Sequence, residues 1–208
     1  MDGVFMRKLI KWAGILTVLL LVLGYADLQV DLNKLEEDLI RLHVVAASDS
    51  SEDQQNKLLV RDAVMDYLNP ILSQFPDKEQ AQVYLQDHLS ELTNIVNDVL
   101  SDLKTGQQAT VTLQKEEFNT REYDTFSLPA GVYDAIRVEI GEAEGKNWWC
   151  VAFPSLCFPQ TKEAFSETAV SAGFDSALTS TLMRQPKYEV RFYILDCVGR
   201  VRNLFHRI

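Results

Sequence analysis

The chain has 208 residues, with 20 Lys+Arg against 30 Asp+Glu, a formal net charge of −10, and three cysteines. That acidity excludes a phosphate-tracking nucleic-acid surface, which needs clustered Lys and Arg, and gives no general attraction to anionic lipid. The length suits one domain of ordinary size, and no repeat or low-complexity block interrupts it.

Arg7, Lys8 and Lys11 precede an apolar run from Trp12 to Tyr25, and Gly24-Tyr25-Ala26 offers the small-x-small pattern of a signal-peptidase site. Basic flank, apolar centre and small-residue exit are the parts of a secretory signal. The run is short of the ~20 residues that cross hydrocarbon comfortably, so a cleaved signal over 1–26 is expected first and an uncleaved N-terminal anchor second. Either places the remainder outside the cytosol, with the positive flank inside. Without residues 1–26, which hold three bases and one acid (Asp2), the chain has 17 Lys+Arg and 29 Asp+Glu, a net charge of −12.

Residues 27–38 read as an acidic tether or helical turn, and 39–208 as a single domain. Leu39 to Ala46 is a first strand. Ser51 followed by Gln54 fits a capping box, opening a helix from about Glu52 to Asn69 that stops before Pro70, with Val60, Val64, Tyr67, Leu68 and Ile71 on one face. Pro76-Asp77 opens a second helix that Gly106 closes. Its stripe is Ala81, Leu85, His88, Leu92, Ile95, Val96, Val99 and Leu103. Ala109, Val111 and Leu113 alternate with polar residues as a half-buried strand. Pro129-Ala130-Gly131 then turns into a strand with Ile136, Val138 and Ile140 on one face, and Gly141 to Gly145 connects it to the next arm of an expected hairpin. Residues 160–186 read as an irregular or partly helical insertion. Tyr188 to Leu195 reads as a last strand by its alternation, and Val198 to Ile208 as a basic tail with a weak helical period. The predicted architecture is α+β: two amphipathic helices on one face of a mostly antiparallel sheet.

The expected returning arm of that hairpin concentrates the informative residues. Trp148, Trp149, Phe153 and Phe158 lie with Cys150 and Cys157 in fourteen positions starting at Gly145. A Cys-x6-Cys pair can close a small loop, and such a bond persists only outside the reducing cytosol. Cys150–Cys157 is favoured over pairings with Cys197. A straight strand would hold the two over ~20 Å apart, so this pairing requires the chain to turn back at Pro154-Ser155. Adjacent tryptophans in a strand point to opposite faces. Packing explains one or both; the sharper alternative is that one of them, with Phe153 or Phe158, anchors a receptor, since aromatics dominate interface hot spots.

Three segments together resemble the stage II sporulation protein R family, secreted signalling proteins of endospore-forming bacteria. The first runs from Ile40 through Arg41, His43, Ser48 and Asp49 to Arg61, Asp62 and Val64. The second is Pro129-Ala130-Gly131 with Tyr133 and Arg137-Val138, and the third is Gly145 to Cys150 with Phe153-Pro154 and Leu156-Cys157-Phe158. Ala47 stands where the family pattern has Asn, and Ser155 where it has a second proline. The resemblance implies a protein made in the forespore and exported into the space between the two membranes. There it triggers a membrane-embedded aspartic protease, from that protease's extracellular face, to cleave the sigma-E precursor. It implies a ligand that performs no chemistry.

The residues themselves offer little to a catalytic reading. His43 with Asp49 or a serine would need a base within hydrogen-bond reach of a nucleophile, and neither Gly-x-Ser-x-Gly nor His-Glu-x-x-His occurs. Capping by Ser48, Asp49 or Ser51, and pairing of Asp62 with Arg41 or Arg61, explain these positions more simply. An exported hydrolase of wall or peptide is the rival. His43, His88 and His206 are scattered, so no zinc or other cofactor is expected. Arg200, Arg202, His206 and Arg207 could touch membrane phosphate weakly, although a C-terminal helix whose cations suit its dipole accounts for them too.

Overall fold

The computed structural model describes residues 3–157, 161–183 and 189–206. In chain order its first elements are α1 (Gly3–Asp38), β1 (Ile40–Val45), α2 (Ser51–Leu72), α3 (Lys78–Asp87), α4 (Leu89–Asp102) and β2 (Ala109–Phe118). There follow β3 (Arg121–Glu122), β4 (Ser127–Leu128), β5 (Gly131–Ile140), β6 (Asn147–Phe153), α5 (Lys162–Ser171), α6 (Ser176–Leu182) and α7 (Glu189–His206).

All six residues of β1 are buried, so the strand must lie inside the sheet with both faces covered. It runs parallel to β5, with Leu42 opposite Ile136, and antiparallel to β6, with Leu42 opposite Cys150. β2 pairs antiparallel with the other side of β5, giving the order β2-β5-β1-β6. The sheet is therefore mostly antiparallel, but β5 and β6 do not form the expected hairpin. Connection 141–146 steps over the end of β1 instead, where the Gly145 amide donates to the Ala46 carbonyl at 2.9 Å. A Cβ on Gly145 would stand 2.2 Å from the Ser48 carbonyl oxygen, so only glycine fits at the crossing.

One sheet face carries Ile40, Leu42, Val44, Val138 and Ile140 against Val60, Val64 and Leu68 of α2, Ala81 and Leu85 of α3, and Leu92 and Val96 of α4. Ser50, not Ser51, caps α2: its side chain accepts the Asp53 amide at 3.1 Å. The helix continues through Pro70 to Leu72. Pro70 is exposed, as is Asp66, whose carbonyl loses its helical donor and can turn to water. The long second helix is two. His88 ends α3 and starts α4, its Nδ1 lying 2.8 Å from the Tyr84 carbonyl and its ring stacked on Tyr84. The restart turns Leu100 inward and leaves Leu103 exposed.

The opposite sheet face meets a third layer. Leu32 and Leu35 of α1 are fully buried there with Tyr133, Ala135, Val151, Phe165, Leu178 and Leu195. Residues 27–38 thus belong to α1 and end inside the core rather than forming a tether. The stretch read as an irregular or partly helical insertion holds two helices, α5 and α6, capped by Thr161 and Asp175 and seated in the core through Phe165, Ala169, Leu178 and Leu182. The expected last strand is also overturned. From Glu189 the chain is helical, with Leu195 buried while Tyr193 and Ile194 face outward; Tyr188 lies outside the described residues. Its alternation concealed an inward face built at helical spacing from Phe192, Leu195, Gly199 and Asn203.

If the end of α1 is part of the core, Leu32→Ala and Leu35→Ala should each cost about 2–5 kcal/mol. Val30→Ala, at an exposed position of the same helix, should cost less than about 0.5 kcal/mol. Urea unfolding of the detergent-solubilised chain, followed by tryptophan fluorescence, measures both; equal, small losses would return this stretch to a tether.

Candidate functional site

Period-two geometry sends Arg41 and His43 to the sheet face opposite α2–α4. Arg41 is fully buried, and a buried guanidinium must be hydrogen-bonded. Its Nε donates to the Cys150 carbonyl at 3.0 Å and an Nη to the Tyr123 hydroxyl at 2.7 Å. The plane rests 4.3 Å from the Phe118 ring centre and 5.2 Å from that of Tyr133. Burial pushes the Tyr133 hydroxyl well above the usual phenol range, so it remains a donor, to the Pro129 carbonyl at 3.0 Å.

His43 forms the second half of this arrangement. Its Nδ1 lies 2.7 Å from a Glu116 carboxylate oxygen and its Nε2 2.8 Å from the Asn147 amide oxygen, so acceptors hold the ring on both sides. Arg137 donates to the same Glu116 oxygen at 2.8 Å and grips Glu139 with two further bonds. Trp149 stacks on His43, with ring centres 5.5 Å apart, and the Arg121 guanidinium covers Trp149 at 3.2 Å. Burial pushes the Glu116 carboxyl up, but His43 and Arg137 outweigh it and hold the group below the usual carboxylate range.

The other motif residues lie at the sheet end where β1 and β5 finish. Ser48 donates to Asp53, Gln107 donates to Asp53 at 2.9 Å, and these bonds hold Asp53 below its ordinary range. Asp49 accepts the Lys146 amide at 2.7 Å. Lys57 reaches the Lys146 carbonyl at 3.0 Å and Gln54 at 2.7 Å, and burial pushes its pKa down. Three loops are fastened by this cluster, and His43 takes no part in it. Arg61, paired with Asp62 at 2.6 Å, lies 4.4 Å from the ring centre of Trp148.

Cys150 and Cys157 form a disulfide with Cα atoms 5.0 Å apart, the chain turning back at Pro154 and Ser155, while Cys197 is free. Trp148 and Trp149 are half-buried on opposite faces of the edge strand β6, whereas Phe153 is buried at 8 % exposure and serves the core. Phe158 and Arg207 lie outside the described residues, as does the side chain of His206. Sequence reasoning missed Glu116, Asn147, Arg121 and Tyr123 as partners. Asn147 and Arg137 did stand in motif segments, and the alternation around Ile136–Ile140 already set Arg137 and Glu139 on one face. Glu116, in the run Lys115-Glu116-Glu117, carried no distinguishing signal. Among the described residues no group of three or more His, Cys, Asp or Glu comes together to hold a metal. A polar hollow of about 360 Å³ beside Glu36, Lys78, Asp134 and Arg202 is lined by groups that pair with one another, Lys78 with Asp134 at 2.6 Å and Arg202 with Glu36 at 2.9 Å.

Comparison with known proteins gives this arrangement its context. The profile described as stage II sporulation protein R matches residues 36–163, more than half of the chain. The chain belongs to the stage II sporulation protein R family. Stage II sporulation protein R of Bacillus subtilis (strain 168) is 37 % identical over 119 residues, 57 % of this chain and 53 % of that protein, so the match spans about half the length of the relative. No solved structure matches. Within the family region fall the whole sheet, α2–α4 and every residue of the Arg41–His43 network; α6 and α7 lie beyond it.

Two outcomes follow for a protein of this family so built. Because the folded-state value of Glu116 lies below the unfolded one of ~4.3, its contribution is present above that pH and is lost as pH falls through the lower folded-state value. Glu116→Gln should therefore flatten the acid limb of urea midpoints measured from about pH 7 to about pH 3. Replacing Cys150 and Cys157 together by serine should lower stability by about 2.5 kcal/mol, the closure entropy of so short a loop. Unfolding with and without reductant in the parent chain measures the same quantity.

Proposed function

We propose that this chain is an exported sporulation signal that acts on the extracellular face of a membrane-embedded aspartic protease and switches on cleavage of the sigma-E precursor. Membership of the family carries the reading, because the matched region contains the complete sheet and its buried polar network. An N-terminal helix long and apolar enough to cross a membrane, a property it shares with signal sequences, is compatible with delivery outside the cytosol as a cleaved signal or an anchor. The disulfide fits the same compartment.

The chain works on this reading as a ligand. Both nitrogens of His43 are taken by Glu116 and Asn147, and Ser48 and Asp49 belong to the loop cluster, so the motif residues do not assemble a nucleophile with its base. A ligand shifts its receptor only by binding the active state more tightly. The contact surface we assign is the β6 edge, where Arg61 lies over Trp148 on one face and Arg121 over Trp149 on the other. Trp and Arg are the residue types that carry interface hot spots, and at this edge strand all four residues are partly exposed.

Co-expression with the protease and its sigma precursor, in a cell lacking other sporulation proteins, tests the proposal through precursor cleavage. Arg61→Ala, which takes the guanidinium off the Trp148 ring, should reduce activation by about tenfold or more, as should Trp148→Ala. Variants that are exported, folded and fully active would remove the β6 edge from the mechanism. Cleavage absent even with the parent chain would remove the protease.

A further inference from the structure

α7 is buried along one side only. Leu195, Asp196, Gly199 and Asn203 face the domain: Asp196 accepts the Ala130 amide at 2.9 Å, and Asn203 donates to the Phe118 carbonyl at 3.0 Å. The other side carries Tyr193, Ile194, Val201, Leu204 and Phe205, between 44 % and 69 % exposed. At 100° per residue these five fall within one third of the helix circumference, a continuous apolar stripe. Contiguous exposed apolar surface of this kind marks a contact with a partner or a membrane.

α1 indicates which. It is one continuous helix from the apolar segment into the core, so its direction is fixed by the burial of Leu32 and Leu35. α7 is fastened to that helix through Arg202, which binds Asn33 at 2.9 Å and Glu36 at 2.9 Å. Asn33 lies seven residues beyond Ala26, about 10 Å along the helix. A bilayer holding the apolar segment of α1 therefore begins within about two helical turns of α7. Val30, one turn nearer the bilayer than Asn33, is 64 % exposed and adds apolar surface to α1.

We propose that α7 lies in the interface of the bilayer that receives α1, seating Tyr193, Ile194, Val201, Leu204 and Phe205 at the boundary between headgroups and acyl chains. This rests on the reading of α1 as a membrane segment. An amphipathic helix binds there through its buried apolar area, and Tyr193 suits the interface with an apolar ring and a polar tip. Arg200 borders the stripe with its side chain largely exposed, its guanidinium bonded to Asp196 at 2.8 Å. The domain is thereby held against the membrane by a second contact besides α1.

The test uses the full chain in vesicles of phosphatidylcholine and phosphatidylglycerol containing nitroxide-bearing lipid. In a Cys197→Ser background, a fluorophore is attached at Val201→Cys, Phe205→Cys, Leu16→Cys in α1, or Val83→Cys on exposed α3. Labels at 201 and 205 should be quenched by the lipid at least about half as strongly as the label at 16, and several-fold more than the label at 83. Quenching at 201 and 205 no greater than at 83, with 16 strongly quenched, means that α1 is inserted and α7 stands off; the proposal then fails. Labels at 201 and 205 shielded from both lipid and aqueous iodide mean a protein occupant, which also overturns it. Quenching at 201 and 205 without quenching at 16 upholds the docking of α7 and refutes the membrane reading of α1.

Discussion

A charged residue with no exposed atom sits in the middle of this sheet. β1 is buried along its whole length, yet it carries Arg41 and His43 on the face away from the helices. An unpaired buried guanidinium costs far more than a single strand contributes, so that face has to be built as a binding site for the protein's own side chains. Phe118 and Tyr133 supply ring faces, Tyr123 a hydroxyl and Cys150 a carbonyl. Glu116 comes from β2, Arg137 from β5, and Asn147 and Trp149 from β6. Every strand of the main sheet thus contributes a group to the polar pair on β1, and their placement fixes the register that an apolar strand alone would leave loose.

The same constraint explains the loops. β1 can sit between β5 and β6 only if connection 141–146 crosses its end, and that crossing needs a closely approaching backbone at Gly145. The polar run Ser48-Asp49-Ser50 is the other half of the crossing: Asp49 holds the Lys146 amide, and Ser48 and Ser50 organise the start of α2 through Asp53. Here Ser and Asp, residue types that catalysis also uses, fasten three loops, in keeping with the capping role expected of them. The chemistry of hydrogen-bond satisfaction and the chemistry of catalysis draw on the same residue types, and only the positions of their partners tell them apart.

That distinction marks how far the sequence could be read. Strands with clean alternation, Ala109–Leu113 and Ile136–Ile140, and the apolar faces of the helices were legible because burial repeats at a fixed period. The α+β class followed from them. Strand order was not legible, since nothing local says that β1 must divide two strands joined by a short glycine-bounded turn. α7 was misread because Tyr188, Val190, Phe192 and Ile194 satisfy period two, while its inward face uses Gly199, Asp196 and Asn203, which no hydrophobic pattern counts. The break at His88 came from a side chain bonding to the backbone one turn earlier, again invisible to periodicity. At the site, aromatic and cysteine content pointed to β6, but the stacking of Arg61 and Arg121 on its two tryptophans required the fold.

The burial of Leu32 and Leu35 also limits what export can do to this chain. Asp31 is 7 % exposed and the next residue is in the core, so a cut beyond that point would strip the third layer from the sheet face that holds Arg41. A cut after Ala26 leaves the last three turns of α1 attached, with Lys78 still donating to the Glu36 carbonyl and Glu36 still accepting the Val132 amide at 3.1 Å. Retained or cleaved, α1 therefore delivers the same domain, and the two states differ in tethering alone. A folded domain that does not depend on its own leader keeps its structure while anchored and can diffuse once released. On the proposed function, the apolar stripe of α7 would then keep a released molecule at the membrane surface where its receptor is proposed to lie.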